Sequence, residues 1–428
     1  MRAGAPAFQW NAAIQLVLSL LGVMSMWGAA LFLLLRGFIR DPGSTAVTVV
    51  PQNLTLAAGL GWCGLLLLPS AGYALLRLLG RSLRPILANA TVERLLMLLL
   101  LFVVMPSALL GGDWAARTQS YTWLVLPLAN VLAVSIPVLW IIHLGRNRLP
   151  GGSPQRSWGA FGSGMVLGSS LMITFEMLAI GALFFLGIVM VASQPTWLRE
   201  LNDLAQRLEM SPSTPEAMLN ILEPYTRHPL LIFLVGAYLA VITPLIEEAC
   251  KPIGVWLLVR RSLSPAEGFV SGLLSGAGFA LLESLAYSAN ANTAWTVTVV
   301  ARLGTMLMHI FTAGLMGWGL TQAWKRGRLL YLAVAYLGAV LIHGLWNGLT
   351  VGVALVGIQI TGSSRDATFF QLALAAILAI SILAGLIGMN TALRRAIMAH
   401  SDSDSPSSEA APQPQNIQLE EVTNGKLD

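Results

Sequence analysis

The run TPLIEEACKPIGVW, from Thr243 to Trp256, sets two adjacent carboxylates and an ammonium inside an apolar stretch long enough to cross a bilayer. Charge at that depth is costly and rare, so such groups are functional candidates by default. The other ionisable residues read at membrane depth are Glu176, Glu283, His309 and His343. All but Glu176 fall between 247 and 343, on four consecutive apolar segments. At about 1.5 Å of rise per residue, Glu248, Glu283, His309 and His343 lie roughly 18, 25, 20 and 21 Å from the inner ends of their segments. Four helices therefore bring polar groups to one layer. Carboxylates and imidazoles that meet in such a layer can take a proton from water, polarise a carbonyl, or bind a metal ion.

The local spacing narrows the roles. Lys251 is i+4 to Glu247 and i+3 to Glu248, so it can neutralise a carboxylate on its own helix. The i+4 spacing slightly favours Glu247 as that partner, which would leave Glu248 as the general base, though either carboxylate can take that role. Successive helical residues point about 100° apart, so one carboxylate can meet the lysine while the other faces water or substrate. Pro244 and Pro252 bracket the pair, and each weakens the backbone ladder. Irregular backbone at membrane depth is tolerated only beside protein or a water-filled cavity, which points to a cavity here. Gly272, Ser275 and Gly276 form a small-residue face suited to close helix packing. Glu283 has no cation near it in sequence, and Asn347 lies one turn after His343 on the same face. Glu176 stands apart and is expected to be structural, bonding a neighbouring helix or lining a water path.

The elements that must hold these residues are membrane spans. Of 428 residues 56% are hydrophobic and only 11% charged, which is too little charged surface for a soluble chain of this length. A spanning helix needs about 20 apolar residues. Segments near 11–36, 53–80, 94–112, 120–143, 163–193, 229–258, 267–289, 299–322, 329–357 and 369–392 qualify. The predicted fold is an all-α polytopic bundle of about ten spans, with the candidate residues on four consecutive spans of the C-terminal half. Three regions follow: 1–228, five spans and an outer loop; 229–395, the candidate catalytic bundle; and 396–428, a disordered cytoplasmic tail rich in Ser, Pro and acids.

Within the 194–228 loop, Trp197, Leu201, Leu204 and Leu208 share a helical face, and Thr214-Pro215-Glu216 is a helix start, so an amphipathic helix pair on the membrane surface is expected. Lys and Arg concentrate in alternate loops, at Arg77, Arg81, Arg84 and Arg94, at Arg146, Arg148 and Arg156, at Arg260 and Arg261, at Lys325, Arg326 and Arg328, and at Arg394 and Arg395. This bias places both termini in the cytoplasm and the 194–228 loop outside, with Arg36, Arg40, Arg117, Arg302 and Arg365 on the poorer outer side. The net charge of +5 is thus a topology signal and not a nucleic-acid footprint. Cys63 and Cys250 both fall inside spans and suggest neither a disulfide nor a zinc ribbon.

In order, Glu247-Glu248-x-x-Lys251, Phe279-x-x-x-Glu283, His309, and His343 with Asn347 resemble the PrsW family of glutamic-type intramembrane proteases, and more distantly the CAAX-processing ABI proteases. The resemblance covers about 230–350; Ser284 departs from it, since the family often has Asn after the glutamate. It implies peptide-bond hydrolysis in a membrane-protein substrate at the cell membrane, with a membrane-anchored anti-sigma factor as the family's associated target. On that mechanism no cofactor is needed. Glu247 or Glu248 activates water, one histidine steadies the oxyanion, Glu283 and the other histidine orient the reactants, and Lys251 holds a carboxylate. A zinc ion on Glu283, His309 and His343 is the metalloprotease alternative.

Other classes are weighed on the same residues. An aspartyl protease needs two aspartates at depth, whereas Asp41, Asp113, Asp203 and Asp366 read as loop residues. The H-E-x-x-H zinc motif is absent, and Ser275, in GLLSG, fits a serine nucleophile poorly. A proton- or ion-coupled transporter also uses midplane carboxylates and broken helices, but the polar groups here crowd into one half of the chain.

Overall fold

A computed structural model describes the chain except residues 1–8, 41–46, 82–89, 120, 211–216, 218–219, 222–228, 260, 291–293, 360–364 and 404–428. Among the described residues, ten helices are long and apolar enough to cross a membrane. Spans 1 to 5 are Trp10–Arg36, Pro51–Leu78, Thr91–Thr118, Thr122–Arg146 and Pro154–Met190. Spans 6 to 10 are Ile232–Trp256, Pro265–Tyr287, Trp295–Arg326, Leu329–Thr350 and Phe369–Ala399. The protein is an all-α polytopic bundle. The described exception is a short antiparallel hairpin between spans 1 and 2, pairing Phe38–Arg40 with Val47–Val49.

Span 7 is the axis of the bundle, with 83% of its apolar stretch buried, and span 8 follows at 67%. Its start is fixed locally. Ser264 caps the helix by accepting from Glu267 N, the Glu267 carboxylate accepts from Ser264 N in return, and Pro265 takes the first helical position. Of the small-residue face expected at Gly272, Ser275 and Gly276, the two glycines lie against span 8, while Ser275 turns to spans 5 and 6. A Cβ on Gly276 would run into Ala313 and the His309 carbonyl, so glycine is what lets the two backbones close. On the other side, Gly164 of span 5 meets the Ser275 carbonyl so closely that no side chain fits. Spans 1, 3, 5 and 10 turn apolar side chains such as Phe32, Phe102, Phe184 and Ile380 outward, as lipid-facing helices do, while spans 1, 5 and 10 also send Met26, Met165 and Leu386 into the core.

The helices are interrupted where the prolines forecast it. Leu100–Val104 and Tyr238–Ile242 are π-helical, and each comes immediately before a proline-bearing turn, at Pro106 and Pro244. A proline ring clashes with the carbonyl four residues back, and a widened turn relieves that clash. A third π segment, Gly164–Gly168, lies in span 5. At Pro252 span 6 breaks outright, with Thr243–Cys250 on one side and Ile253–Trp256 on the other.

Two readings of the outer regions change. Span 10 continues as helix to Ser403, past the 396 boundary expected for the tail; residues 404–428 lie outside the described residues. Asp113, read as a loop residue, sits in the Met105–Thr118 helix and bonds Arg117 and Thr296. Asp203 and Asp366 are likewise helical. The first amphipathic helix of the 194–228 loop is present as Pro195–Met210. The Thr214-Pro215-Glu216 start of the second lies outside the described residues.

Candidate active site

The break in span 6 is what presents the glutamate pair. Pro252 carries no N–H, so the helix cannot continue its ladder past Lys251. Ser275 of span 7 repairs the gap, donating Oγ–H to the Lys251 carbonyl (2.6 Å) and accepting from Gly254 N (3.1 Å). That backbone duty gives Ser275 its role. Span 9 is tied to the same segment at two points: Asn347 donates to the Leu239 carbonyl freed by the π turn (2.9 Å), and the Tyr336 hydroxyl donates to the Leu245 carbonyl (2.8 Å). Between these ties, His343 faces Glu248.

Lys251 is fully buried and serves both carboxylates. Its Nζ is 2.6 Å from Glu248 Oε1 and 3.0 Å from Glu247 Oε2. The i+4 spacing had marked Glu247 as the better partner; the observed pair is tighter to Glu248, because His343 closes on that same oxygen. His343 Nδ1 lies 2.8 Å from Glu248 Oε1 and 3.2 Å from Lys251 Nζ. The ammonium can only donate, and the nearer carboxylate can only accept, so the imidazole proton belongs on Nδ1 and the Nε2 lone pair is left free.

His309 is held in the same fashion from the other side. Its Nε2 is 2.8 Å from Glu283 Oε2, though outside hydrogen-bond alignment. Its ring packs edge-on against Phe279 (centroids 5.4 Å apart) and His343 (5.2 Å). The Phe279 ring also carries Lys251 Nζ 5.4 Å from its centroid. Glu283, which has no cation near it in sequence, gets one from span 8. Arg302 NH2 approaches Glu283 Oε2 to 2.6 Å, and Arg302 Nε donates to Ser284 Oγ (3.2 Å). Sequence reasoning left Arg302 among the outer positive charges. The available signal was its place two helical turns before His309, on the same face. Ser284, the departure from the family pattern, is thereby given a partner.

The atoms that face the centre are the informative part. Glu247 Oε2, His309 Nδ1 and His343 Nε2 converge, with the two nitrogens 3.8 and 3.9 Å from the oxygen. Glu247, His309 and His343 are the described group whose donor atoms, all within 4.8 Å of one another, could hold a metal ion. Two ligands about 2.1 Å from one tetrahedral zinc would be roughly 3.4 Å apart, so the nitrogens at 3.8 and 3.9 Å would draw in by a few tenths of an ångström to share one ion. His309 Nδ1 is buried with no hydrogen-bond partner, a state that normally costs about 1–3 kcal/mol, while Glu247 Oε2 meets Lys251 Nζ only as an ion pair outside hydrogen-bond alignment. Both imidazoles turn their other nitrogen towards a carboxylate, as metal-ligating histidines do. Fixed charges agree: among the described residues the Lys and Arg side chains paired with Glu247, Glu248 and Glu283 are Lys251 and Arg302, leaving one negative charge of the three for a cation or a proton to offset.

The structure thus brings Glu247, Glu248, Lys251, Phe279, Glu283, His309 and His343 into one cluster, with Asn347 as a backbone tie at its edge. The carboxylate that joins the two histidines is Glu247 and not Glu283, since Arg302 engages Glu283 and holds it behind His309. Glu176 is half-buried on span 5, and its carbonyl accepts from the Tyr238 hydroxyl (3.4 Å).

The sequence model described as PrsW family intramembrane metalloprotease matches residues 157–386, over half of the chain. The match begins in span 5 and ends in span 10, so it takes in the helix whose Gly164 seats against Ser275 as well as the motif-bearing spans. No curated protein and no solved structure is significantly similar to the chain.

Proposed function

Since the chain belongs to the PrsW family of intramembrane proteases, we propose that it is a metal-dependent endopeptidase, cutting a peptide bond of a membrane-protein substrate at Glu247, His309 and His343. The observation that carries this reading is the convergence of three donor atoms, two of them buried without an aligned partner, with a carboxylate behind each imidazole. Glu247, His309 and His343 would hold a zinc ion there, and when bound it would supply Lewis-acid polarisation of the scissile carbonyl.

The protein's own groups have separable tasks. Glu248 accepts a hydrogen bond from His343 Nδ1–H and so fixes which nitrogen faces the centre. Lys251 holds Glu248 and limits the repulsion between the adjacent glutamates. Glu283, anchored by Arg302, sets the plane of His309. Phe279 and the small-residue faces of spans 7 and 8 exclude water from the back of the site and keep its dielectric low, where each charge acts strongly. The Lys/Arg bias supports cytoplasmic termini and a location in the cell membrane. The identity of the substrate, including an anti-sigma factor, rests on the family resemblance alone.

A second reading has one observation of its own. Lys251 Nζ lies 3.0 Å from Glu247 Oε2, so this carboxylate already has a cation and could take a proton from water directly, as a glutamic protease requires. Purified protein incubated with single-pass substrates, with and without a strong chelator, separates the readings. Fragments that vanish on chelation and return with zinc support the metal-dependent enzyme. Cleavage indifferent to chelation supports the glutamic one, and ion-coupled uptake without cleavage would make the protein a carrier.

A further inference from the structure

At the end of the bundle where the arginines gather, spans 1, 2, 5 and 6 enclose a cavity of about 180 Å³ lined by Arg77, Arg156 and Arg261. A second cavity, of about 330 Å³, adjoins it across Arg77, Ser153 and Gln155 and adds Arg81. Arg156 is paired with Glu267, but no described acidic side chain meets Arg77, Arg81 or Arg261. Arg77 is instead held by neutral amides. Its Nε donates to Gln9 Oε1 (2.9 Å) and its NH1 to Gln155 Oε1 (2.8 Å). Gln155 in turn donates to Gln15 Oε1 (3.0 Å), and Gln15 donates to Ser70 (3.1 Å). Amide acceptors orient a guanidinium without cancelling its charge, and Arg77 keeps N–H groups beyond the two they use. The opposite wall is apolar, built from Ile14, Leu18, Leu257 and Leu258.

We propose that this double cavity binds the phosphoryl headgroup of an anionic glycerophospholipid. Arg77, positioned but not neutralised, with Arg81 and Arg261 beside it and without a described acidic partner, matches the planar, multi-donor recognition of a phosphate. Basic pockets between spans on the positively charged side of a membrane are where anionic headgroups are held. The apolar wall distinguishes a lipid from a free anion, because it offers a surface to glycerol and acyl carbons. The site shares Gly254, Leu257 and Leu258 with the part of span 6 beyond the Pro252 break, yet it needs nothing from the proposed chemistry.

The full chain, purified in neutral detergent, should retain phosphatidylglycerol over phosphatidylcholine in native mass spectrometry. At about 1 kcal/mol per arginine, R77Q/R261Q should weaken phosphatidylglycerol binding by about 30-fold, and R261Q alone by about fivefold. The single variant serves if the double one folds poorly, since Arg261 makes no described side-chain bond. K325Q/R326Q, at the same end of the bundle but outside the cavity, should leave binding unchanged. Equal retention of the two lipids, or equal loss in the K325Q/R326Q control, would overturn the proposal. Inorganic phosphate binding as tightly as the lipid would also overturn it, reducing the cavity to a free-anion site.

Discussion

Arg302→Gln tests the link between a residue that sequence motifs miss and the centre it supports. The substitution removes the cation 2.6 Å from Glu283 and the donor to Ser284. With charge centres about 4 Å apart and an effective dielectric near 20, the attraction at stake is about 4 kcal/mol. The two side chains are 13% and 15% exposed, so some water reaches the pair, and a loss of about 2–3 kcal/mol is expected, below the range for a fully enclosed pair. Glu283 would then rest unpaired against His309, and loss of such support typically lowers metal affinity or activity by about 10–100-fold. Unfolding in detergent gives the first quantity and cleavage of a single-pass substrate the second. Glu283→Gln in the same background closes a double-mutant cycle. Removing both charges should recover much of the stability, for a coupling of about 2 kcal/mol. Coupling below about 0.5 kcal/mol, the scatter expected of independent sites, or wild-type cleavage by Arg302→Gln, would refute the reasoning.

Other outcomes follow from the same geometry. Glu248→Gln keeps the shape but loses the charge that orients His343, and should cost about 10–100-fold in metal affinity, read by competition with a zinc indicator. Ser275→Ala leaves the Lys251 carbonyl and Gly254 N–H without their partner, and should lower stability by about 1–3 kcal/mol in thermal unfolding. Glu176→Gln should leave proteolysis largely intact; a loss as deep as that of Glu247→Gln would bring span 5 into the chemistry. Cysteines introduced at Ser213 and Ser405 should label from opposite sides of the membrane, and labelling of both from one side would overturn the topology.

Much of this was legible in the sequence because a bilayer leaves few choices. Apolar length fixed the ten spans, and the rarity of charge at depth singled out the 247–343 cluster. Pro244 and Pro252 announced the irregular span 6, since a missing N–H acts locally. What stayed hidden depends on how helices rotate against each other. Arg302 reads as one more loop-side cation until span 8 is packed on span 7 through Gly276. The choice between Glu247 and Glu248 turned on His343, 95 residues away from Glu248, which no i+3 or i+4 rule can include. The same is true of Ser275, whose partners are backbone atoms exposed only once span 6 breaks.

The central claim is that Glu247, His309 and His343 together hold a metal ion on which cleavage depends. Its most direct test is the metal content of the purified, active protein set beside that of Glu247→Gln, His309→Ala and His343→Ala. The account predicts about one zinc per wild-type chain, lost in all three variants together with activity. Glu283→Gln should retain part of the metal, because that carboxylate only supports His309. A fully active wild-type protein with no stoichiometric metal, or variants that keep the metal while losing cleavage, would contradict it.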